Sequence, residues 1–188
     1  MQIKIPRGKE LRVAVSGKSG CGNTTVSKLL ADALGITMIN FTFRSLSEET
    51  GLSLAEIIER AKNDDGFDKA VDTRQIELAQ KQSCVLGSRL AVWMLKEADF
   101  KVYLCAGEDV RARRICKREC GDIENVKAFT RMRDAEDSGR YKKLYNIDND
   151  DFSFVDLIID TEQYSPEEIV DMILAALEKK GLIVASDA

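Results

Sequence analysis

The chain has 188 residues, 44% of them apolar and 32% charged, with a net charge of −4. This suits one folded domain and excludes a disordered composition, and the acidic balance disfavours generic binding to nucleic acid polymers or an anionic membrane. Histidine is absent, which excludes Ser-His-Asp and Cys-His hydrolases and His-ligated metal enzymes. Phosphoryl transfer remains open, because it rests on Lys, Arg and Mg²⁺.

In chain order, LRVAVSG (11–17) reads as a short buried strand that ends at a glycine. TTVSKLLADALG (24–35) reads as a helix with Val26, Leu29, Leu30, Ala33 and Leu34 on one face and Gly35 as its stop. ITMINF (36–41) is a second strand. SLAEIIERA (53–61) opens on a Ser53–Glu56 capping box, and another helix is expected near 68–81. SCVLG (83–87) and FKVYLCA (100–106) are buried strands flanking a helical or turn segment, RLAVWMLKEAD, in which Trp93 and Met94 read as core residues. Helical patterns follow over 108–119, broken at Gly121, and over 124–144. VDLIIDT (155–161) is the last strand. The helix SPEEIVDMILAALEKKG (165–181) has Ser165 as cap, Pro166 in its first turn and Gly181 after it.

Strands alternating with helices imply an α/β fold: a parallel five-stranded sheet flanked by helices. Ligands of such sheets bind beyond the carboxyl ends of the strands. That is where GKSGCGNTT (17–25) falls, between a strand and a helix. The phosphate-loop pattern is Gly, four residues, Gly, Lys, then Ser or Thr. Gly17, Gly22 and Thr24 match, and Asn23 stands in the lysine position. The expected phosphate cradle is Gly17, Lys18, Ser19, Gly20, Cys21, Gly22, Asn23, Thr24 and Thr25, with the Thr24 hydroxyl as the Mg²⁺ ligand. Asn23 can donate hydrogen bonds to phosphate but brings no charge. Lys18 could fold toward the phosphates or toward a partner subunit; the plainer reading is a solvated loop lysine.

Seven of the thirteen arginines lie between 111 and 140 (Arg111, Arg113, Arg114, Arg118, Arg131, Arg133, Arg140), which suggests a local anionic ligand. Against this, Arg111, Arg114 and Arg118 at helical spacing could form a solvated face with Glu108 and Glu119, and for Arg111 and Arg118 that reading is preferred. Asp72 with Arg74, and Asp137 with Arg140, could be surface pairs. The five cysteines include Cys116 and Cys120 at helical spacing, read as reduced structural thiols rather than half a metal site. No apolar leader or membrane-length run is present, so a cytoplasmic location is expected.

Taken together, VAVSGKSGCGNTT, FTFR, VDTRQIELA, VLGSRLAVWML, VRARRICKRE, RMRDAEDSGRYKKLYNID and DLIIDTEQYSPEEIV resemble cytidylate kinases. These are phosphate-loop nucleoside monophosphate kinases, and the similarity is to the short form typical of archaea and some bacteria. It runs from about residue 11 to 180, and RDAEDSGR is its most specific part. The resemblance implies a single kinase domain over 1–188, with a monophosphate-binding insertion at about 42–80 and a lid at about 117–135. It implies ATP and Mg²⁺, and transfer of the γ-phosphate to CMP or dCMP by a monomer or homodimer. Arg44 would reach the acceptor phosphate, Asp72 and Arg74 the cytosine and its phosphate, and Arg89 the acceptor phosphate. Arg133 and Arg140 would bind the transferring phosphates and Asp137 the sugar or base, with Arg113, Arg114 and Arg131 as secondary lid arginines. Lys18 joins Arg89, Arg133 and Arg140 as a catalytic candidate. Two positions depart from the family pattern: Asn23, and Gly87 or Ser88 where a carboxylate is common. They leave open a nucleotide-binding regulatory protein that turns over weakly or not at all. A kinase for another small hydroxyl acceptor, such as shikimate, ranks lower, because no carboxylate pair follows the second strand.

Overall fold

The computed structural model describes residues 2–119 and 122–186. A short antiparallel pair, β1 (Gln2–Lys4) with β7 (Val184–Ser186), joins the two ends of the chain. The main sheet holds β2 (Arg12–Ser16), β3 (Thr37–Ile39), β4 (Cys84–Gly87), β5 (Phe100–Cys105) and β6 (Leu157–Asp160). All its pairings are parallel, in the spatial order β3-β4-β2-β5-β6. The α/β expectation holds, with each of the five expected strands present and trimmed by one to three residues.

Alternation along the strands divides the core into two layers. Val13 and Val15 of β2, Val85 of β4, and Phe100, Val102 and Leu104 of β5 face one side. There they pack with Val26, Leu30 and Leu34 of α1 (Asn23–Leu34) and with Ile169, Val170, Ile173 and Leu177 of α8 (Pro166–Lys179). Ala14, Cys84, Leu86 and Tyr103 face the other side, against Ala79, Ala91, Val92 and Leu95. Gly35 takes φ +64 and closes α1 as expected, and the Ser165–Glu168 capping box with Pro166 opens α8.

The segment after β3 folds into three helices: α2 (Phe43–Thr50), α3 (Leu54–Ala61) and α4 (Gly66–Ala79). They share a small cluster of their own around Phe41, Leu46 and Ile57. α2 was not expected. It is polar and eight residues long, and its sequence signals were a Thr42–Ser45 capping box and Gly51 at φ +74. The chain then passes through α5 (Ala91–Met94) to α6 (Glu108–Glu119) and α7 (Ile123–Tyr145). Asp122 caps α7, and Asn146 ends it in the left-handed conformation at φ +55. The expected break at Gly121, and Cys120, lie outside the described residues. Among the described residues, Cys21, Cys84 and Cys105 carry no disulfide. Among the described residues no helix is long and apolar enough to cross a membrane.

The α1–α8 layer holds the loop-bearing helix against the sheet, and Ile173 lies fully buried within it. Ile173→Ala is expected to cost about 2–5 kcal/mol, read as a lowered urea midpoint with unchanged m.

Candidate active site

β2 sits centrally, and its chain leaves toward β3 on one side while β5 continues to β6 on the other. The crevice between the carboxyl ends of β2 and β5 is where such a sheet receives ligand. The loop 17–22 lies there. Gly20 and Gly22 take φ +87 and +97, a region open to glycine at little cost. A Cβ on Gly17 would lie 2.4 Å from the Leu104 carbonyl oxygen, and one on Gly20 would lie 2.9 Å from that of Arg111. The glycines thus permit close backbone approach. No side chain caps α1 and its first turn carries no acid, so the unpaired N–H groups there are left for an anion. An open cavity of about 630 Å³ lies over this helix end, lined by residues 18–26 with Arg89, Arg114, Arg118 and Arg133.

Asn23 behaves differently from the expectation. Its side-chain N–H donates to the Gly17 carbonyl at 2.7 Å, so the amide is turned back across the loop and not toward phosphate. Its Oδ1 is buried without a partner among the described residues. One helical turn on, Ser27 Oγ is likewise buried and, among the described residues, unpartnered. A Cβ on Gly87 would lie 2.5 Å from that Oγ and 2.8 Å from Ser27 Cβ. The carboxylate missing at the end of β4 therefore has no room, because α1 packs onto the strand there.

Behind the loop lies a charged network. Asp137 of α7 is only 7% exposed and is held by Arg89 and Arg140. Arg89 leaves the β4–α5 turn. That turn is fixed by Ser16 Oγ, which donates to the Ser88 carbonyl at 2.8 Å and accepts from Val92 N at 3.1 Å. Arg140 also pairs with Asp68 of α4 at 3.2 Å. Burial lowers the basicity of Arg89, and the like charge of Arg133 adds to it; the group remains cationic. The Asp137–Arg140 pair is thus no isolated surface contact: it joins α4, α7 and the end of β4. Arg133 is exposed on the cavity wall and, among the described residues, makes no hydrogen bond or ion pair.

The solvated-face reading fails for Arg111, and Arg114 is likewise engaged. Arg111 is 6% exposed and reaches Asp134 at 2.8 Å and the Ser19 carbonyl at 3.1 Å. Arg114 donates to the Gly20 and Thr161 carbonyls and to Thr161 Oγ1. Arg118 is exposed, as the solvated-face reading expects, and also lines the cavity. Burial was invisible in a helix of which eight of the twelve residues are charged, because the partners lie far away in the chain. Arg131 pairs with Glu108 at 2.6 Å and Arg113 is exposed; neither lines the cavity. Sequence reasoning also missed Tyr164 and Thr161, which close the cavity beside Pro166 and Ile169. Their signal was position, since they follow the last strand at the same carboxyl edge. Trp93 packs edge-on against Tyr103, as expected of a core residue.

On the α2–α4 side, Asp72 and Arg74 do not pair with each other. Asp72 accepts from Tyr145 Oη at 2.8 Å and from Gln75 Nε2 at 3.2 Å. Arg74 is drawn to Glu49 of α2 and to Glu77. Arg44 is exposed on α2. Burial raises the Asp72 carboxyl above the usual range, outweighing the lowering by Tyr145 and Arg140. Asp68 is raised for the same first cause.

Residues 60–163 match the model of the cytidylate kinase-like family. "Cytidylate kinase 2" of Borreliella burgdorferi is 43% identical over 92% of this chain and 98% of its own. "Cytidylate kinase" of Archaeoglobus fulgidus is 37% identical over 93% and 98%. In fold, the chain is similar to the crystal structure of shikimate kinase from Bacteroides thetaiotaomicron (TM-score 0.64, 17% identity, covering 89% of this chain and 98% of that one).

Two outcomes follow from this geometry. Gly87→Ala is expected to destabilise by about 1–3 kcal/mol through overlap with Ser27. Most of that should return in Gly87→Ala with Ser27→Gly, whereas additive losses in chemical denaturation would show that the crowding is not the cause. For Asp72, a raised folded-state pKa favours the protonated form on folding, so its stabilising effect is present at acid pH and lost as pH rises through that pKa. Asp72→Asn is therefore expected to be more stable than the native chain at pH 7. The margin should vanish below about pH 4, near the unfolded carboxylate value, as read from urea midpoints across pH.

Proposed function

The chain belongs to the cytidylate kinase family and is a phosphotransferase of that type, and we propose that its arginine cluster serves transfer of the ATP γ-phosphoryl group to CMP or dCMP, giving CDP or dCDP. The observation that carries this reading is the Arg89–Asp137–Arg140–Asp68 network lying next to an uncapped helix end and a glycine-rich loop. Two nucleotides meeting phosphate to phosphate bring several negative charges together, and arginine forks neutralise and orient such groups. The inactive-binder alternative draws no support from the relatives, which carry the kinase name.

In this reading Gly17, Lys18, Ser19, Gly20, Cys21, Gly22, Asn23, Thr24 and Thr25 wrap the donor triphosphate. Arg118, Tyr164 and Ile169 border the space left for its base. The fit to polyphosphate rests on the unpaired helix N–H groups and on glycines that a Cβ would block. Thr24, exposed in the first turn of α1 and on the cavity wall, would hold Mg²⁺, which neutralises charge on the phosphates when bound. The residues 42–80 form the acceptor insertion and about 117–135 the lid. Arg44 meets the acceptor phosphate as the insertion closes. Asp72, aligned by Tyr145 and Gln75, accepts from the exocyclic amine of cytosine, and Arg74 braces the helix that carries it. Arg89 and Arg140 hold the acceptor phosphate with Asp137 fixing their orientation, and Arg133 comes over the transferred group. Closure excludes water and so limits ATP hydrolysis.

A coupled assay with Mg·ATP and a panel of monophosphates should give turnover with CMP and dCMP well above UMP and AMP. Arg133→Ala should lower kcat by about 10²-fold or more, as for loss of a transition-state donor, with a smaller change in the KM for CMP. Absence of turnover with every pyrimidine monophosphate would remove the assignment.

A further inference from the structure

The charge that a phosphate loop draws from its lysine is absent at position 23, where Asn23 is committed to the Gly17 carbonyl. Most guanidiniums around the loop are committed too. Arg111 holds Ser19 and Asp134, Arg114 holds Gly20 and Thr161, and Arg89 holds Asp137. Lys18 differs. It is the second residue of the loop, it lines the large cavity, and with Arg89 it also borders the small space behind it. Its Nζ lies 2.7 Å from Asp150 Oδ1.

Asp150 is delivered there by a built turn between α7 and β6. Asp148 Oδ1 accepts from Asp150 N at 3.1 Å, and Trp93 Nε1 donates to the Asp151 carbonyl at 3.2 Å. Phe152 stacks on Tyr103 at 3.9 Å, and Asn149 is buried against the same small space. The Asp150 carboxylate itself is 66% exposed. A pair so open to water is weak and gives up its lysine readily to a group of higher charge.

We propose that Lys18 carries, within its own chain, the charge that the usual loop lysine brings to the β- and γ-phosphates, and that Asp150 is its positioning partner, holding the ammonium at the cavity mouth until a triphosphate takes it. This rests on the ATP-dependent reading above. Lys18 thus touches the donor, while Asp150 acts through Lys18. The long, flexible lysine stem reaches the phosphates from the first turn of the loop, whereas an ordinary loop lysine reaches them from the start of the helix.

The test is calorimetric titration of the full chain with Mg·ATP and, separately, with CMP. Lys18→Ala should weaken ATP binding by about tenfold or more, as for loss of a charged hydrogen bond, and leave CMP binding as in the native chain. Adding Asn23→Lys to Lys18→Ala should restore ATP affinity, because the charge returns from the conventional position. Asp150→Asn should tighten ATP binding about two- to threefold, the scale of an exposed pair, and this effect should vanish in the Lys18→Ala background. Native ATP affinity in Lys18→Ala, or no rescue by Asn23→Lys, overturns the role of Lys18. An Asp150→Asn effect that persists without Lys18 overturns the positioning role. Failure of the kinase assignment would show separately, as a native chain that binds ATP and turns over no monophosphate, and the binding outcomes would still decide the proposal.

Discussion

A carboxylate taken almost wholly out of water is stable only if cations compensate it, and Asp137 obtains that compensation from two arginines in different parts of the chain. Arg89 comes from the turn after β4 and Arg140 from one turn further along α7, while Asp68 of α4 ties the second arginine to the helical insertion. The three segments carry the groups assigned to the acceptor side. Removing Asp137 would take from Arg89 its ion-pair partner and from Arg140 one of two. The pairing thereby fixes the orientation of guanidiniums that would otherwise sample many rotamers, and it sets where α7 lies over the sheet.

The two departures from the family pattern have a common physical setting. Asn23 and Ser27 are one turn apart on α1 and face inward, Asn23 over Gly17 and Ser27 over Gly87. With that helix face pressed onto the ends of β2 and β4, a side chain at position 87 would overlap Ser27. At position 23, a short amide bridges the loop to its own first residue. Positive charge near the phosphates must then come from outside the conventional position. The arginines of α6, in turn, act on the loop as scaffolding. Arg111 and Arg114 donate to the backbone carbonyls of Ser19 and Gly20, which ties the loop to α6.

Legibility of the site varied with the range of the interaction. The loop was readable because its strand, glycines and helix are adjacent in sequence. RDAEDSGR was readable only through its resemblance to the cytidylate kinase pattern, since helical spacing alone allowed a surface pair. Arg111 was misread because its partners, Ser19 and Asp134, are far away in the chain and nothing local distinguishes a buried arginine from a solvated one. Asp72 and Arg74 looked like a pair because they are neighbours, yet Tyr145 and Glu49 claim them separately. The β1–β7 pairing had no local signal, since the two strands meet only when the fold brings the chain ends together and Ile3 packs on the core.

By itself the sequence determined the alternation of strands and helices, the caps and stops of α1, α3 and α8, the phosphate-loop position and the absence of its lysine. Periodicity, capping and glycine placement are local properties, and they survive in any environment. Tertiary structure alone decided the strand order, the burial of Asp137 and Arg111, the crowding of Gly87 by Ser27, and the pairing of Lys18 with Asp150. Each of those depends on which distant atoms share a volume with a side chain. Burial, charge compensation and steric overlap are properties of that shared volume and not of the residue.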